Sequence, residues 1–195
     1  SIGVKMNELI KTHIEKCSAR FAEIDAAALH NQKKVLDAFR KNRVALRHFN
    51  GTSGYGYDDE GRDNLARVFA DVFHTEKAIV SPLLTSGTHA ITVALFGLVK
   101  SGDVILSITG NPYDTLHGVI NGTNGSLADY GVKFYSVSLS DGKIDCDKVT
   151  EVIKKYCPSV IYIQRSRGYE WRDAFSTEDI FKAVQCVRSV TDACI

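Results

Sequence analysis

The sequence lacks the features that mark several classes of protein. It contains no apolar run long enough to cross a bilayer and no apolar segment near its start that would act as a secretory signal. Its five cysteines include no Cys-x-x-Cys pair, and their odd number argues against a disulfide framework or a zinc site. These absences predict free thiols in a reducing compartment, so we expect a cytoplasmic protein.

An excess of charge and a metal-ligand spacing are also missing. The net charge is +1, so no overall field attracts nucleic acid or an anionic membrane, and we expect neither as a partner. The six histidines show no ligand spacing such as His-Glu-x-x-His, so we expect no metal site. What is present is 195 residues with 44% hydrophobic and 24% charged side chains, which is typical of a globular protein with a sizeable core.

Helical spacing comes first along the chain, and strands then alternate with helices. Residues 6–48 contain neither Gly nor Pro and predict one or two amphipathic helices, 50–61 is a loop, and 62–74 predicts another helix. Beyond them the pattern predicts strands at 77–81, 103–108, 132–139 and 159–164, and helices at 87–99, 145–156 and 176–190. This is an α/β pattern, which predicts a mostly parallel sheet with helices on both faces.

The stretch Ser86-Gly87-Thr88-His89 stands between a predicted strand and an apolar helix. The first N–H groups of a helix lack internal partners, and the helix dipole makes that end positive. Gly87 would let an anion approach the backbone, while Ser86 and Thr88 add hydroxyl groups. The stretch could therefore hold a phosphate, but taken alone it favours the simpler interpretation of an N-cap at Ser86 or Thr88.

Three other loops carry side chains suited to a flat, anionic ligand. Tyr113 follows Pro112 after a predicted strand, where an aromatic ring can stack on a ligand. Tyr57 and Arg62 lie beside glycines, and three arginines follow the last predicted strand, namely Arg165, Arg167 and Arg172.

Taken singly, each of these side chains is better explained by a purely structural role. Tyr113 would then be a half-buried packing residue. Arg62 would pair with a neighbouring acid, namely Asp58, Asp59 or Asp63, and the last arginines would form ion pairs with Glu170 and Asp173.

Five motifs together resemble one known family. They are GYGYDDEGRD, SGTHAI, ALFGLVKSGD, ITGNPYDTL and IQRSRGY, in this order along the chain. They look like those of the methionine gamma-lyase-like family, whose members are often labelled cystathionine beta-lyase-like proteins linked to aluminium resistance. The resemblance runs from about residue 35 to 190. It implies a fold-type-I, transferase-like enzyme dependent on pyridoxal 5′-phosphate (PLP), with an N-terminal helical segment over 1–49 and part of the PLP-binding large domain over 50–195.

The resemblance also implies roles for particular residues. Ser86, Gly87 and Thr88 would bind the PLP phosphate, with the backbone of His89 close by. Tyr113 would stack on the cofactor ring and assist proton transfer to the leaving group. Tyr57 and Arg62 would reach the phosphate of a neighbouring subunit in a homodimer or homotetramer. In the last motif, Arg165 or Arg167 would hold the substrate carboxylate, and Gln164 or Ser166 would face the cofactor.

The chain also departs from the family pattern. It has Ser81 and Leu83 where the family has Arg and Gln. PLP chemistry needs a lysine that holds the cofactor and an acidic residue on its pyridine nitrogen. In the family these occur in later motifs that resemble DNCYGEF and SLIKNPGG, and neither is found here. The lysines of the second half lie in surface-like patterns and are not candidates: Lys133, Lys143, Lys148, Lys154, Lys155 and Lys182.

The resemblance therefore implies the N-terminal part of a carbon–sulfur lyase acting on sulfur amino acids, truncated and inactive on its own. Two alternatives stay open. The chain could be a non-catalytic phosphate-ligand-binding remnant or partner subunit, or the complete enzyme could be an aminotransferase. Because a sheet cut before its next strand leaves an open edge, we expect the isolated chain to associate or to be poorly soluble.

Overall fold

The computed structural model describes residues 2–52, 57, 59–122 and 124–195. Over these residues the chain forms, in order, α1 (Ile2–Lys41), a 3₁₀ turn (Leu46–Phe49), α2 (Glu60–Phe73), α3 (Gly87–Leu98), β1 (Val104–Ser107), α4 (Asp114–Asn121), β2 (Lys133–Ser136), α5 (Cys146–Tyr156), β3 (Val160–Tyr162) and α6 (Thr177–Arg188). The chain divides into two compact units, Ser1–Leu83 and Leu84–Ile195.

The first unit consists of helices. The sequence predicts either one or two helices over 6–48. The structure has one long helix followed by the 3₁₀ turn. The break follows α1 where Arg43 adopts a left-handed backbone conformation, with φ of 50°. The end of α1 contacts α2, since Asn42 Nδ2 donates to Asp71 Oδ2 over 2.6 Å.

Most of α1 makes few tertiary contacts within the described part of the chain. Its apolar side chains are exposed, among them Met6, Leu9, Ile10, Ile14, Phe21, Ile24 and Leu29. Polar and charged residues are interspersed among them, and no helix in the described ranges combines the length and apolarity needed to cross a membrane.

The second unit is built on a parallel sheet of three strands in the order β2-β1-β3. One face packs against α3 and α4, through the buried cluster of Ile105, Val160, Leu95, Val99, Leu116 and Ile120. The other face packs against α5 and α6, through Leu106, Ile161, Val149, Ile153, Ala183 and Val187. The predicted α/β class, with a parallel sheet covered on both faces, is confirmed.

Two details of the predicted pattern are wrong. Residues 77–81 are not a strand in the structure, and Ile79 is 82% exposed, because no strand of the described chain pairs with this segment. The sequence also fails to predict the helix α4, because its eight residues include Gly118 and follow a Pro-containing loop.

At the edge of the sheet formed by β3, Cys194 forms an isolated parallel β-bridge to Val160.

The boundary between the two compact units falls after Leu83 and not after residue 49, because α2 packs on α1 and on the 3₁₀ turn. The proposed division into a helical segment over 1–49 and a cofactor-binding domain over 50–195 concerns function, and it stays a prediction.

Candidate functional site

The candidate site lies in the second unit, where β1 and β3 end at the same edge of the sheet. Ligands of α/β proteins bind at this carboxyl edge because the loops that leave the strands converge there. The loop after β1 leads to Tyr113 and α4, and the loop after β3 begins with Gln164. The backbone N–H of Gln164 donates to Thr109 Oγ1 over 2.9 Å, and both residues are buried, so the two loops are joined below the surface.

The first turn of α3 has an N-cap but also has free space in front of its backbone N–H groups. Ser86 has an extended backbone, with φ of −158° and ψ of 165°, and its Oγ accepts from the His89 N–H over 3.0 Å. Ser86 is therefore an N-cap, as the structural interpretation predicts. The N–H groups of Gly87 and Thr88 have no partner among the described residues. A Cβ built on Gly87 would meet nothing within 4 Å, so space remains in front of these donors.

Electrostatics distinguish α3 from the other helices of its unit. The first turn of α3 contains no acidic residue, whereas α4, α5 and α6 begin with Asp114, Asp147 and the pair Glu178–Asp179. Acidic side chains there offset the positive end of the helix dipole. In the first turn of α3, no acidic side chain therefore offsets the partial positive charge of the helix dipole.

The resemblance implies that the backbone of His89 lies close to the phosphate. Its N–H is already used by the Ser86 cap. Its Nδ1 lies 3.4 Å from both the N and the Oγ1 of Thr85, so the ring folds back on the preceding turn.

Tyr113 is the N-cap residue of α4 and is half-buried. Its backbone N–H donates to Gln164 Oε1 over 3.2 Å. A second link joins α4 to α3, since Thr88 Oγ1 donates to Thr115 Oγ1 over 3.3 Å. The structure therefore brings the predicted phosphate stretch and the predicted ring-stacking tyrosine to one edge of the sheet.

Comparison with known proteins identifies the family of the chain. The family model described as methionine gamma-lyase matches residues 6–195. The chain belongs to the methionine gamma-lyase family. Among curated proteins, YnbB of Bacillus subtilis (strain 168) is 43% identical over 197 residues, a match that covers 93% of this chain and 47% of YnbB.

Solved structures of other bacterial proteins have the same fold. A carbon-sulfur lyase involved in aluminum resistance from Clostridium novyi NT superposes with a TM-score of 0.90 at 40% identity, over 98% of this chain and 46% of that one. A Clostridium acetobutylicum protein, provisionally named cystathionine beta-lyase involved in aluminum resistance, gives a TM-score of 0.92 at 42% identity, over 98% and 47%. The chain thus spans about half the length of these relatives.

The arginines after β3 differ in their surroundings. Arg165 and Arg167 are exposed: Arg165 Nε donates to the Phe175 carbonyl over 2.8 Å, and Arg167 Nη1 lies 3.4 Å from the Arg172 carbonyl. Only 7% of the Arg172 side chain is exposed, and its Nε pairs with Glu170 Oε2 over 2.8 Å. Its guanidinium also lies over the Phe175 ring, at 4.5 Å from the centroid. Arg172 therefore holds the loop together, as the structural interpretation predicts.

Tyr57 and Arg62 belong to the first unit. Tyr57 is exposed, and Arg62 Nε pairs with Asp59 Oδ2 over 2.8 Å. The Arg62 N–H and the Thr52 hydroxyl both donate to Asp59, and these bonds hold the pKa of that carboxyl below its usual value. Asp58, a further predicted partner of Arg62, lies outside the described residues.

The contacts of two site residues, Gln164 and Gly168, could not be predicted from the sequence. The resemblance implies that Gln164 or Ser166 faces the cofactor; in the structure the Gln164 Oε1 accepts from the backbone N–H of Tyr113. Gly168, for which the sequence predicts no role, packs against the Tyr113 ring. The glycine in IQRSRGY is the available signal, because an isolated glycine in a loop often marks a close approach or a positive φ.

Proposed function

We propose that this chain carries the phosphate- and ring-binding part of a PLP-dependent carbon–sulfur lyase that acts on sulfur amino acids such as cystathionine or methionine. The observation that carries the proposal is the open, acid-free first turn of α3 beside Tyr113 at the carboxyl edge of the sheet. Membership of the methionine gamma-lyase family and the lyase names of the relatives support the reaction class.

The residues present fit a phosphorylated cofactor. The N–H groups of Gly87 and Thr88 are suited to phosphate oxygens, and the open space over Gly87 admits a group of that size. The Ser86 hydroxyl accepts from His89, which leaves its own proton to donate to the phosphate.

The side chains around the phosphate site would then divide the remaining tasks. When bound, PLP supplies an electron sink for the electrons left on the substrate when its α-proton is removed. Tyr113 would lie against the cofactor ring and donate a proton from its Oη to the departing sulfur. Arg165 or Arg167 would bind the substrate carboxylate through the planar guanidinium and so orient the bond that breaks.

The proposal includes a second subunit. Tyr57 and Arg62 would extend from one subunit to the phosphate of its neighbour, as the family resemblance implies. We assign the lysine that holds the cofactor and the acid on its pyridine nitrogen to the part of the family's proteins that this chain does not span.

The test uses the native protein that contains this chain. PLP is titrated in and followed by absorbance, and the purified protein is then given cystathionine or methionine. We expect saturable binding of PLP, release of a thiol, and a 2-oxo acid with ammonia in equal amounts. Amino-group transfer to an added keto acid, without release of a thiol, would instead establish an aminotransferase. If the protein does not bind PLP in this titration, the proposal is wrong.

A further inference from the structure

We propose that Gln164 and Gly168, both on the loop after β3, are positioning residues for Tyr113: one fixes its backbone and the other fixes its ring. The inference rests on the proposed function for the identity of the ligand that Tyr113 meets. It assigns the loop after β3 a task at the cofactor ring, in addition to any contact with the substrate.

The Gln164 side chain holds the start of α4. It is only 8% exposed, and its Oε1 accepts from the Tyr113 N–H over 3.2 Å and from the Tyr162 hydroxyl over 3.3 Å. Its Nε2 donates to the Ser166 carbonyl over 3.2 Å. A backbone N–H can only donate and a carbonyl can only accept, so this set of partners fixes which way the amide points.

Gly168 limits the position of the ring itself. A Cβ at Gly168 would lie 2.9 Å from Tyr113 Cε1, closer than Cβ atoms in proteins approach another heavy atom, and 3.1 Å from Cδ1, which is tighter than most such contacts. Gly168 also has φ of 59°, a conformation that other residues adopt only with strain. The bare α-carbon of Gly168 therefore lies against one edge of the ring, and a flat ligand has to approach from another side.

These contacts act together because Tyr113 is held at two separate points by one loop. Its backbone is tied to a buried amide, and its ring rests on a residue without a side chain. Holding the ring in place before a ligand arrives lowers the entropy lost on binding and sets the stacking geometry. Gln164 and Gly168 thus act on the cofactor through Tyr113.

The test measures PLP binding by the native protein and by its Gly168→Ala variant. We expect Gly168→Ala to weaken PLP binding about 10-fold, and to change the near-UV and visible circular dichroism of the bound cofactor, because the new methyl group displaces the ring. Gly102→Ala is the matched control. Gly102 has φ of 91° but an added Cβ would meet nothing within 4 Å, so the control adds backbone strain without the collision.

A double substitution isolates the contact with the ring. If Gly168→Ala acts by displacing the ring, then in a Tyr113→Ala background it should have no further effect on the dissociation constant of PLP. If it weakens PLP binding equally in both backgrounds, the ring is not its target and the inference is wrong.

Gln164 is tested with a pair of variants. Gln164→Met removes the acceptor of the Tyr113 N–H, so we expect the same change in circular dichroism and weaker binding of PLP. Gln164→Glu retains that acceptor oxygen and should recover part of the original spectrum. These variants decide the matter if Gly168→Ala fails to fold.

The two proposals fail in different ways. If the unsubstituted protein does not bind PLP, the proposed function is wrong and this inference falls with it. If the protein binds PLP but its affinity and spectrum are the same in Gly168→Ala and Gln164→Met, the inference alone is wrong.

Discussion

Two helices of the same unit, α3 and α6, begin with a serine cap but present different surfaces. At α6 the Ser176 Oγ accepts from the Asp179 N–H over 3.1 Å, and Asp179 Oδ2 accepts in return from the Ser176 N–H over 2.8 Å. At α3, His89 occupies the position of Asp179, and its ring folds back on Thr85. The residue three positions after the cap therefore decides whether a carboxylate of the chain fills the helix terminus.

The difference shows that capping and anion binding are separate properties. A serine cap uses one of the N–H groups of the first turn, and the others stay available. At α6 a carboxylate already offsets the positive end of the dipole, whereas the first turn of α3 contains no acidic side chain to do so. Parallel substitutions at the two termini test this difference.

The largest effect should come from placing a carboxylate at the start of α3. Gly87→Asp puts a negative charge where the phosphate would bind, and repulsion at short range should weaken PLP binding on the order of 100-fold. Thr177→Asp is the control, because Thr177 is the first residue of α6 as Gly87 is of α3. Both variants should keep or raise the melting temperature, since acids stabilise helix N-termini. Equal affinities for PLP in the two variants would contradict a phosphate site at α3.

A smaller effect is expected from removing each serine cap. Ser86→Ala and Ser176→Ala should each destabilise the protein by about 1 kcal/mol, measured by urea unfolding. Only Ser86→Ala should also weaken PLP binding, by roughly 10-fold, because in the proposed site the Ser86 hydroxyl would donate to the phosphate. If Ser176→Ala has the same effect on binding, the loss reflects lower stability and not a contact with the ligand.

The third prediction concerns α5, whose cap is the carboxylate of Asp145. The Ser140 hydroxyl and the Lys148 N–H donate to this carboxylate and lower its pKa from 3.8 to about 2. Because the native state binds this proton less readily than the unfolded state, the stabilisation is complete above the unfolded pKa and is lost as the pH falls towards 2. Urea unfolding between pH 5 and pH 2 should therefore show a steeper loss of stability than in Asp145→Asn, which keeps the cap without the charge. Identical pH profiles would exclude this contribution.

The smallest effect concerns Cys146, the first residue of α5. A cysteine at a helix N-terminus often has a lowered pKa. Here burial, the hydrogen bond with Cys186 and the nearby charges of Asp147 and Asp145 instead raise the pKa of the Cys146 thiol to about 11. At pH 8, Cys146 should react with iodoacetamide more slowly than free cysteine, as followed by mass spectrometry. A faster reaction would mean that the terminus of α5 is as electropositive as that of α3.

Much of the second unit could be predicted from the sequence because its signals are local. The helices α3, α5 and α6 start within two residues of their predicted positions, since Ser86, Asp145 and Ser176 are caps that the chain itself supplies. The strands β1 and β3 follow from short apolar runs that are buried on both faces.

The sequence-based predictions fail where the structure of a segment depends on tertiary contacts that its local pattern does not encode. Residues 77–81 have the composition of a strand, but a strand also needs a neighbour to pair with, and the described chain provides none. The role of Arg172 could not be separated from that of Arg165 by sequence, because the difference lies in burial against Phe175 and pairing with Glu170.

The sequence by itself determined the α/β class, the capped start of α3 and its lack of nearby acids, since each depends on residues a few positions apart. Tertiary structure alone decided which distant residues meet. Gln164 reaches the Tyr113 N–H across a separation of 51 residues, and Gly168 lies against the same ring. Such contacts depend on β1 and β3 pairing in parallel, which brings their carboxyl ends to one edge of the sheet. No local pattern encodes that pairing, because it is fixed by the packing of the whole unit.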